Sequence, residues 1–205
     1  MSEAGERAAS FGQGHSLSPL DKLGIWLSSR RIRGAIPRFT ELLVADIGCG
    51  YNALFVRGIL NEIRRAVLVD IALAEDLKGH PKIVAMEGVL PGILHCIRSD
   101  SQDVVLCNNV IEHLWEPLKT LKEVRRIAAI GGTVFVNVPS WRGKRALEFS
   151  AFRLGLSPEA EMNDHKMYYD VKDLWPVLVQ AGFLPQGIRI GRHKFGLNTY
   201  AVCKA

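Results

Sequence analysis

The chain has 205 residues, of which 48% are hydrophobic and 23% charged, with a formal net charge of +5. This length and balance fit one soluble globular domain with a substantial core and exclude a disordered or fibrous chain. The four cysteines, Cys49, Cys96, Cys107 and Cys203, form no CxxC pair and share no metal-ligand spacing with histidine. That excludes a disulfide scaffold or zinc module and points to reduced packing residues in a cytoplasmic protein.

The first sixteen residues are mostly small and polar and read as a flexible tail, with no apolar core of a signal peptide. No apolar run in the sequence is long enough for a transmembrane segment. Leu20, Leu23, Trp26 and Leu27 recur at helical spacing, so residues 19–35 are expected as an amphipathic helix ended by Pro37. Such a helix packs on the domain as a lid or lies on a membrane surface, a peripheral contact that Trp26 and the arginines after it keep open. The period then changes. Residues 42–47 read as a first buried strand, 54–64 as a helix, and 66–71 as the second strand. Residues 82–86 read as a short third strand, followed by a helix over 93–97. Residues 104–107 are the fourth strand, 118–129 a helix and 133–138 the fifth strand. Strands alternating with helices imply parallel βαβ units with helices on both faces. Residues 140–170 interrupt the alternation with an insertion that contains a helix over 143–156. A last helix over 171–181 and two closing strands, 186–190 and 198–203, complete the chain.

The densest signal is Val44-Ala-Asp-Ile-Gly-Cys-Gly-Tyr-Asn52, followed by an apolar run that ends in Asp70. Gly48 and Gly50 form a turn after the first strand that lets backbone approach a ligand closely. Asp70 stands at the tip of the second strand, twenty positions past Gly50, where open α/β sheets bind ribose hydroxyls. Asp46, two residues before the first glycine, would repel a pyrophosphate and suits an ammonium or sulfonium. It argues against a nicotinamide cofactor.

This segment resembles motif I of the class I S-adenosylmethionine (SAM)-dependent methyltransferases. Ser101–Leu114, Glu116-Pro117 and Ile130–Pro139 resemble the fourth strand, following helix and fifth strand of that family. The likeness extends loosely through Asp164–Asp170 to Gly182-Phe183. It implies a Rossmann-like α/β domain over 17–205: an open, mostly parallel seven-stranded sheet with an antiparallel C-terminal strand, and 140–170 on the substrate side. It also implies SAM as cofactor. Asp46, Gly48, Cys49 and Gly50 would hold the methionine portion, Asp70 the ribose and Ile71 the adenine face. Glu87, Gly88 and Val89 stand at the adenine edge, where relatives often place an acid, as in Gly-Asp-Ala; Val89 occupies the position of that acid, and Glu87 or the Gly88–Val89 backbone would take its role. Asn108 and Asn109 leave the fourth strand at its ligand-binding end. His113, in the Glu112-His113 pair, and His165 are the two candidate bases, because imidazole titrates near neutrality. Each could equally orient its loop. No residue is assigned to a metal.

Basic residues cluster at Arg30, Arg31, Arg33 and Arg38, at Arg142, Lys144 and Arg145, and at Arg189, Arg192, His193 and Lys194. They fit solvated faces, or an anionic partner. The leading expectation is an enzyme that methylates, at oxygen, a small or lipid-linked acceptor that is phosphorylated or otherwise anionic. Two other readings stay open. One is an RNA methyltransferase, although Cys-Asn-Asn-Val replaces the Asn-Pro-Pro-Tyr loop used on base amines. The other is a non-catalytic, SAM-binding scaffold.

Overall fold

A computed structural model describes residues 9–14, 16–146 and 165–205. Its centre is a seven-stranded sheet in the order β3-β2-β1-β4-β5-β7-β6. The strands are β1 (Leu43–Ile47), β2 (Arg65–Asp70), β3 (Ile83–Glu87), β4 (Gln102–Asn108), β5 (Ala128–Pro139), β6 (Ile188–His193) and β7 (Asn198–Lys204). The first five pair in parallel, and β7 runs antiparallel to both β5 and β6. The expected α/β architecture is therefore observed, antiparallel strand included.

Alternate residues of each strand feed two cores. Ala45, Ile47, Val105, Cys107 and Val136 face Leu121 and Val124 of α4 (Pro117–Ile127) and Leu174 and Leu178 of α5 (Val171–Gln180). Val44, Leu68, Leu106 and Phe135 face the other way. They meet Ile32 of α1 (Pro19–Ala35), Phe39, Val56 of α2 (Leu54–Arg57) and Leu77 of α3 (Glu75–Lys78). Burial on both faces of the sheet is what continuous apolar strands demand.

Several elements differ from expectation. Ser18 and Asp21 form a reciprocal capping box that starts α1, and Pro19 occupies its first turn. The helix turns Ser28 and Ile32 inward, while Leu20, Leu23 and Trp26 stay about half exposed. The apolar stripe read from the sequence is thus not the face packed on the core. The helix expected over 54–64 stops at Arg57. Gly58 caps it, and Glu62 O and Arg64 N bond instead to Glu41 N and Leu42 O, which leads the chain into β2. Of residues 93–97, expected as helix, 93–96 belong to a 3-10 turn over Gly92–Cys96 and Ile97 is extended. Strand β5 begins five residues early, with a turn at Gly131. The basic segment after the sixth strand is itself strand as far as His193. Of the helix expected over 143–156, residues 143–146 lie in a helical stretch over 141–146 and the rest fall outside the described residues.

Candidate functional site

The carboxyl ends of β1, β2 and β4 open into one cavity of about 820 Å³. Its floor is the turn after β1. Gly48 and Gly50 adopt φ of +68° and +74°, a region that side chains disfavour. A Cβ on Gly48 would collide with Val110 Cγ2, and one on Gly50 would sit 3.3 Å from Phe11 O. Gly48 N donates to Val69 O at 2.8 Å, which locks the turn to β2.

Asp70 ends β2 and organises the rim. Its carboxylate accepts from Gly50 N at 2.7 Å and Ile71 N at 2.8 Å. It also accepts from the hydroxyl of Ser10. Ser10 is buried, its Oγ accepts from Ala72 N at 3.0 Å, and Tyr51 N donates to Phe11 O at 2.9 Å. Residues 9–14, expected within a flexible tail, therefore lie docked on the glycine turn and supply Phe11 and Gly12 to the cavity wall. Asp46 is buried beneath this turn. Burial first, and then the negative charge of Asp70, pushes its carboxyl up to about 7. Among the described residues no cation pairs with Asp46. A positively charged ligand group here would therefore be attracted by two carboxylates at once.

Of the eleven residues expected to bind cofactor, ten line this cavity: Asp46, Gly48, Cys49, Gly50, Asp70, Ile71, Gly88, Val89, Asn108 and Asn109. Glu87 does not. Its carboxylate turns back to accept from Leu73 N at 2.7 Å and from Lys78 Nζ at 2.9 Å, and it braces α3. Lys78, and then the Leu73 amide, hold its carboxyl below the usual range. The adenine edge is left to the Gly88–Val89 backbone. A donor set of this kind, with a ribose-side carboxylate, open glycine backbone and a buried anionic floor, fits SAM.

Asn108 and Asn109 are held from behind. Buried Asn137 on β5 donates to both amide oxygens at 2.9 Å, and His193 Nε2 lies 2.6 Å from Asn137 Oδ1. Burial, then Lys194 and Arg31, pull the His193 imidazole down to about 4, so it stays neutral near pH 7. Asn109 sits at φ 57°, a conformation asparagine tolerates better than most residues.

The opposite wall carries the acceptor-side candidates. A 3-10 turn over Ile111–His113 presents buried Glu112 and half-buried His113, and residues 165–169 return beside it. Lys166 N donates to Glu112 O at 2.7 Å, and Tyr169 N to Pro139 O at 3.0 Å. This brings His165 to His113, with ring centroids 4.8 Å apart. Both imidazoles line the cavity, as do Glu112, Trp115 and Lys194. Burial pulls the Lys194 ammonium down to about 8, partly offset by Glu112. Burial, and then Glu112, push Tyr169 up to about 12.

Four comparisons place this geometry among known proteins. Residues 45–136 match the family described as "Methyltransferase domain". A "Probable S-adenosylmethionine-dependent methyltransferase" of Mycobacterium tuberculosis is 24% identical over 176 residues, covering 82% of this chain and 59% of the relative. The chain thus spans about three fifths of the curated relatives it matches. A SAM-dependent methyltransferase from Archaeoglobus fulgidus superposes with a TM-score of 0.64 at 17% identity, covering 88% of this chain and 94% of that one. One from Mesorhizobium loti superposes with a TM-score of 0.63 at 13% identity, covering 91% and 100%. At these identities the superpositions establish the fold.

Proposed function

We propose, from the match of residues 45–136 to the methyltransferase domain family, that the chain transfers a methyl group from SAM to a hydroxyl of a small or lipid-linked acceptor. The observation that carries this reading is the shared cavity. Gly48, Gly50, Asp70 and Ile71 line one side, and His113 and His165 the other. SAM, when bound, supplies a sulfonium methyl that is already activated for displacement. The residues of the chain have the remaining tasks, which are alignment and handling of the proton.

Asp70 accepts from the ribose hydroxyls. The Gly48–Gly50 backbone and Cys49 border the methionine portion, and Asp46 attracts its positive charge. Ile71 packs on the adenine, whose edge meets the Gly88–Val89 backbone. Asn108 and Asn109 contact the amino-acid part. His113 or His165 takes the proton from the acceptor hydroxyl. Arg142, Lys144 and Arg145 follow β5 on the same edge of the sheet, which favours an anionic, phosphorylated acceptor. All four cysteines are free thiols, consistent with a reducing cytoplasm. Among the described residues no helix is long and apolar enough to cross a membrane.

The test is calorimetry with SAM, followed by transfer of labelled methyl groups to hydroxylated phosphate-bearing acceptors. His113→Ala and His165→Ala are each measured for turnover and for SAM affinity. A loss on the order of 10²-fold in turnover at unchanged SAM affinity fits a base. Failure of the folded chain to bind SAM would sink the reading. SAM binding without transfer would leave a binding scaffold, and transfer to RNA alone would move the acceptor to another class.

A further inference from the structure

We propose that Glu112, His113 and His165 bind a divalent transition-metal cation on the acceptor side of the cavity. Their donor atoms all lie within 4.8 Å of one another. Two imidazoles and one carboxylate make a three-ligand set that leaves coordination positions open, as catalytic metal sites require. A tetrahedral ion with donors about 2.1 Å away needs them roughly 3.4 Å apart, so modest side-chain rotation closes the site.

The surroundings are those of a prepared site. Glu112 is 1% exposed, so its carboxylate is held in a fixed place. The turn that carries it is tied to the second histidine's segment by the bonds from Lys166 N and Met167 N to Glu112 O. His165 Nδ1 lies 3.0 Å from Tyr168 Oη. That contact holds the ring in place, as the outer partners of metal-bound imidazoles do. Tyr168 is itself held, buried at 5% exposure with its ring 5.6 Å from that of Trp141.

The cation site stands on these contacts alone, but its use rests on the methyltransferase reading. An acceptor oxygen in an open position would lose its proton more readily. The proton leaves to solvent, and the O–C bond forms as the S–C bond breaks. The electron pair stays on sulfur as a neutral thioether. With the ion bound, this route replaces direct proton transfer to His113 or His165, and the imidazoles serve as its ligands.

The experiment uses the full chain, freed of metal and titrated with Mn²⁺, a cation that cysteines bind poorly. Free Mn²⁺ is followed by electron paramagnetic resonance. One ion per chain is expected. His165→Ala, at a half-exposed position where folding is least at risk, should abolish binding. His113→Ala and Glu112→Gln should weaken it by at least the ten- to hundredfold that loss of a supporting partner costs. Absence of saturable binding, or stoichiometry and affinity unchanged in all three variants, overturns the proposal. SAM calorimetry on the same metal-free protein separates the two questions: loss of SAM binding with Mn²⁺ retained refutes the methyltransferase reading and leaves the metal site standing.

Discussion

Ser10 and Asp70 stand sixty residues apart in the chain, yet the hydroxyl of one donates to the carboxylate of the other. Asp70 also accepts from Gly50 N and Ile71 N, so three donors converge on one carboxylate before any ribose arrives. A carboxylate offers about four lone-pair directions. The serine hydroxyl therefore occupies a direction of the kind that a ribose hydroxyl uses.

Removing that competitor should help the ligand and harm the empty fold. Ser10→Ala is expected to tighten SAM binding several-fold while costing about 1.5–3 kcal/mol of ligand-free stability, the worth of a hydrogen bond to a charged group. Calorimetry and thermal unfolding read the two effects separately. Weakened SAM binding would instead make Ser10 part of the cradle.

Asp70→Ala removes the acceptor itself. SAM affinity should fall by about tenfold or more, matching the loss of charge-assisted bonds of roughly 1.5–3 kcal/mol. The variant also releases Gly50 N and Ser10, so residues 9–14 should become more accessible to protease. Unchanged SAM affinity in a folded variant would remove Asp70 from the ribose site.

Asp46 makes binding depend on pH. Its carboxyl, pushed up to about 7, holds a proton through the mildly acidic range. A cationic ligand prefers the ionised form. SAM affinity should therefore climb as pH rises toward about 7, by at most tenfold per unit, and level off above it. Asp46→Asn should flatten that profile. The ligand-free fold behaves oppositely. A folded-state pKa raised above the ordinary 3.8 means that the contribution of this group to stability is fully present below about pH 4 and is lost as pH rises to about 7.

The basic residues after β5 give a prediction about the acceptor. Reversing Arg142, Lys144 and Arg145 to glutamate should raise the apparent KM for a phosphorylated acceptor severalfold and reduce the salt dependence of kcat/KM. SAM affinity should hold, because none of the three lines the glycine turn. Acceptor kinetics indifferent to the reversal would argue for a neutral substrate.

Local chemistry explains which parts were legible in advance. The strands announced themselves as apolar runs, and the glycine turn and Asp70 fell at a spacing that the first βαβ unit fixes. Ten cofactor-side residues consequently converge on one cavity. Glu87 was misread because a carboxylate at a strand end carries no sign of which neighbour will take it. Leu73 N and Lys78 took this one. Helix α2 was overdrawn because Ile59 and Ile63, both buried, continue the helical period past Gly58, where backbone geometry rather than side-chain pattern decides. Ser10 and Asn137 escaped notice since their partners lie far along the chain. The exposed Leu23 and Trp26 of α1 show that an apolar stripe need not be the one that packs.

The ties on either side of residues 147–164 have a bearing on how acceptor preference can change. Before that stretch, Ser140 N bonds Leu197 O at 2.9 Å and its hydroxyl donates to Gly196 O at 2.7 Å; after it, the Lys166 and Tyr169 amides bond Glu112 and Pro139. Both ends are fastened to the frame that holds the cofactor turn, and none of these bonds comes from the stretch between them. A graft between these two seams is therefore expected to leave SAM affinity unchanged, with calorimetry as the check. For engineering, that makes Ser140 and Lys166 natural splice points.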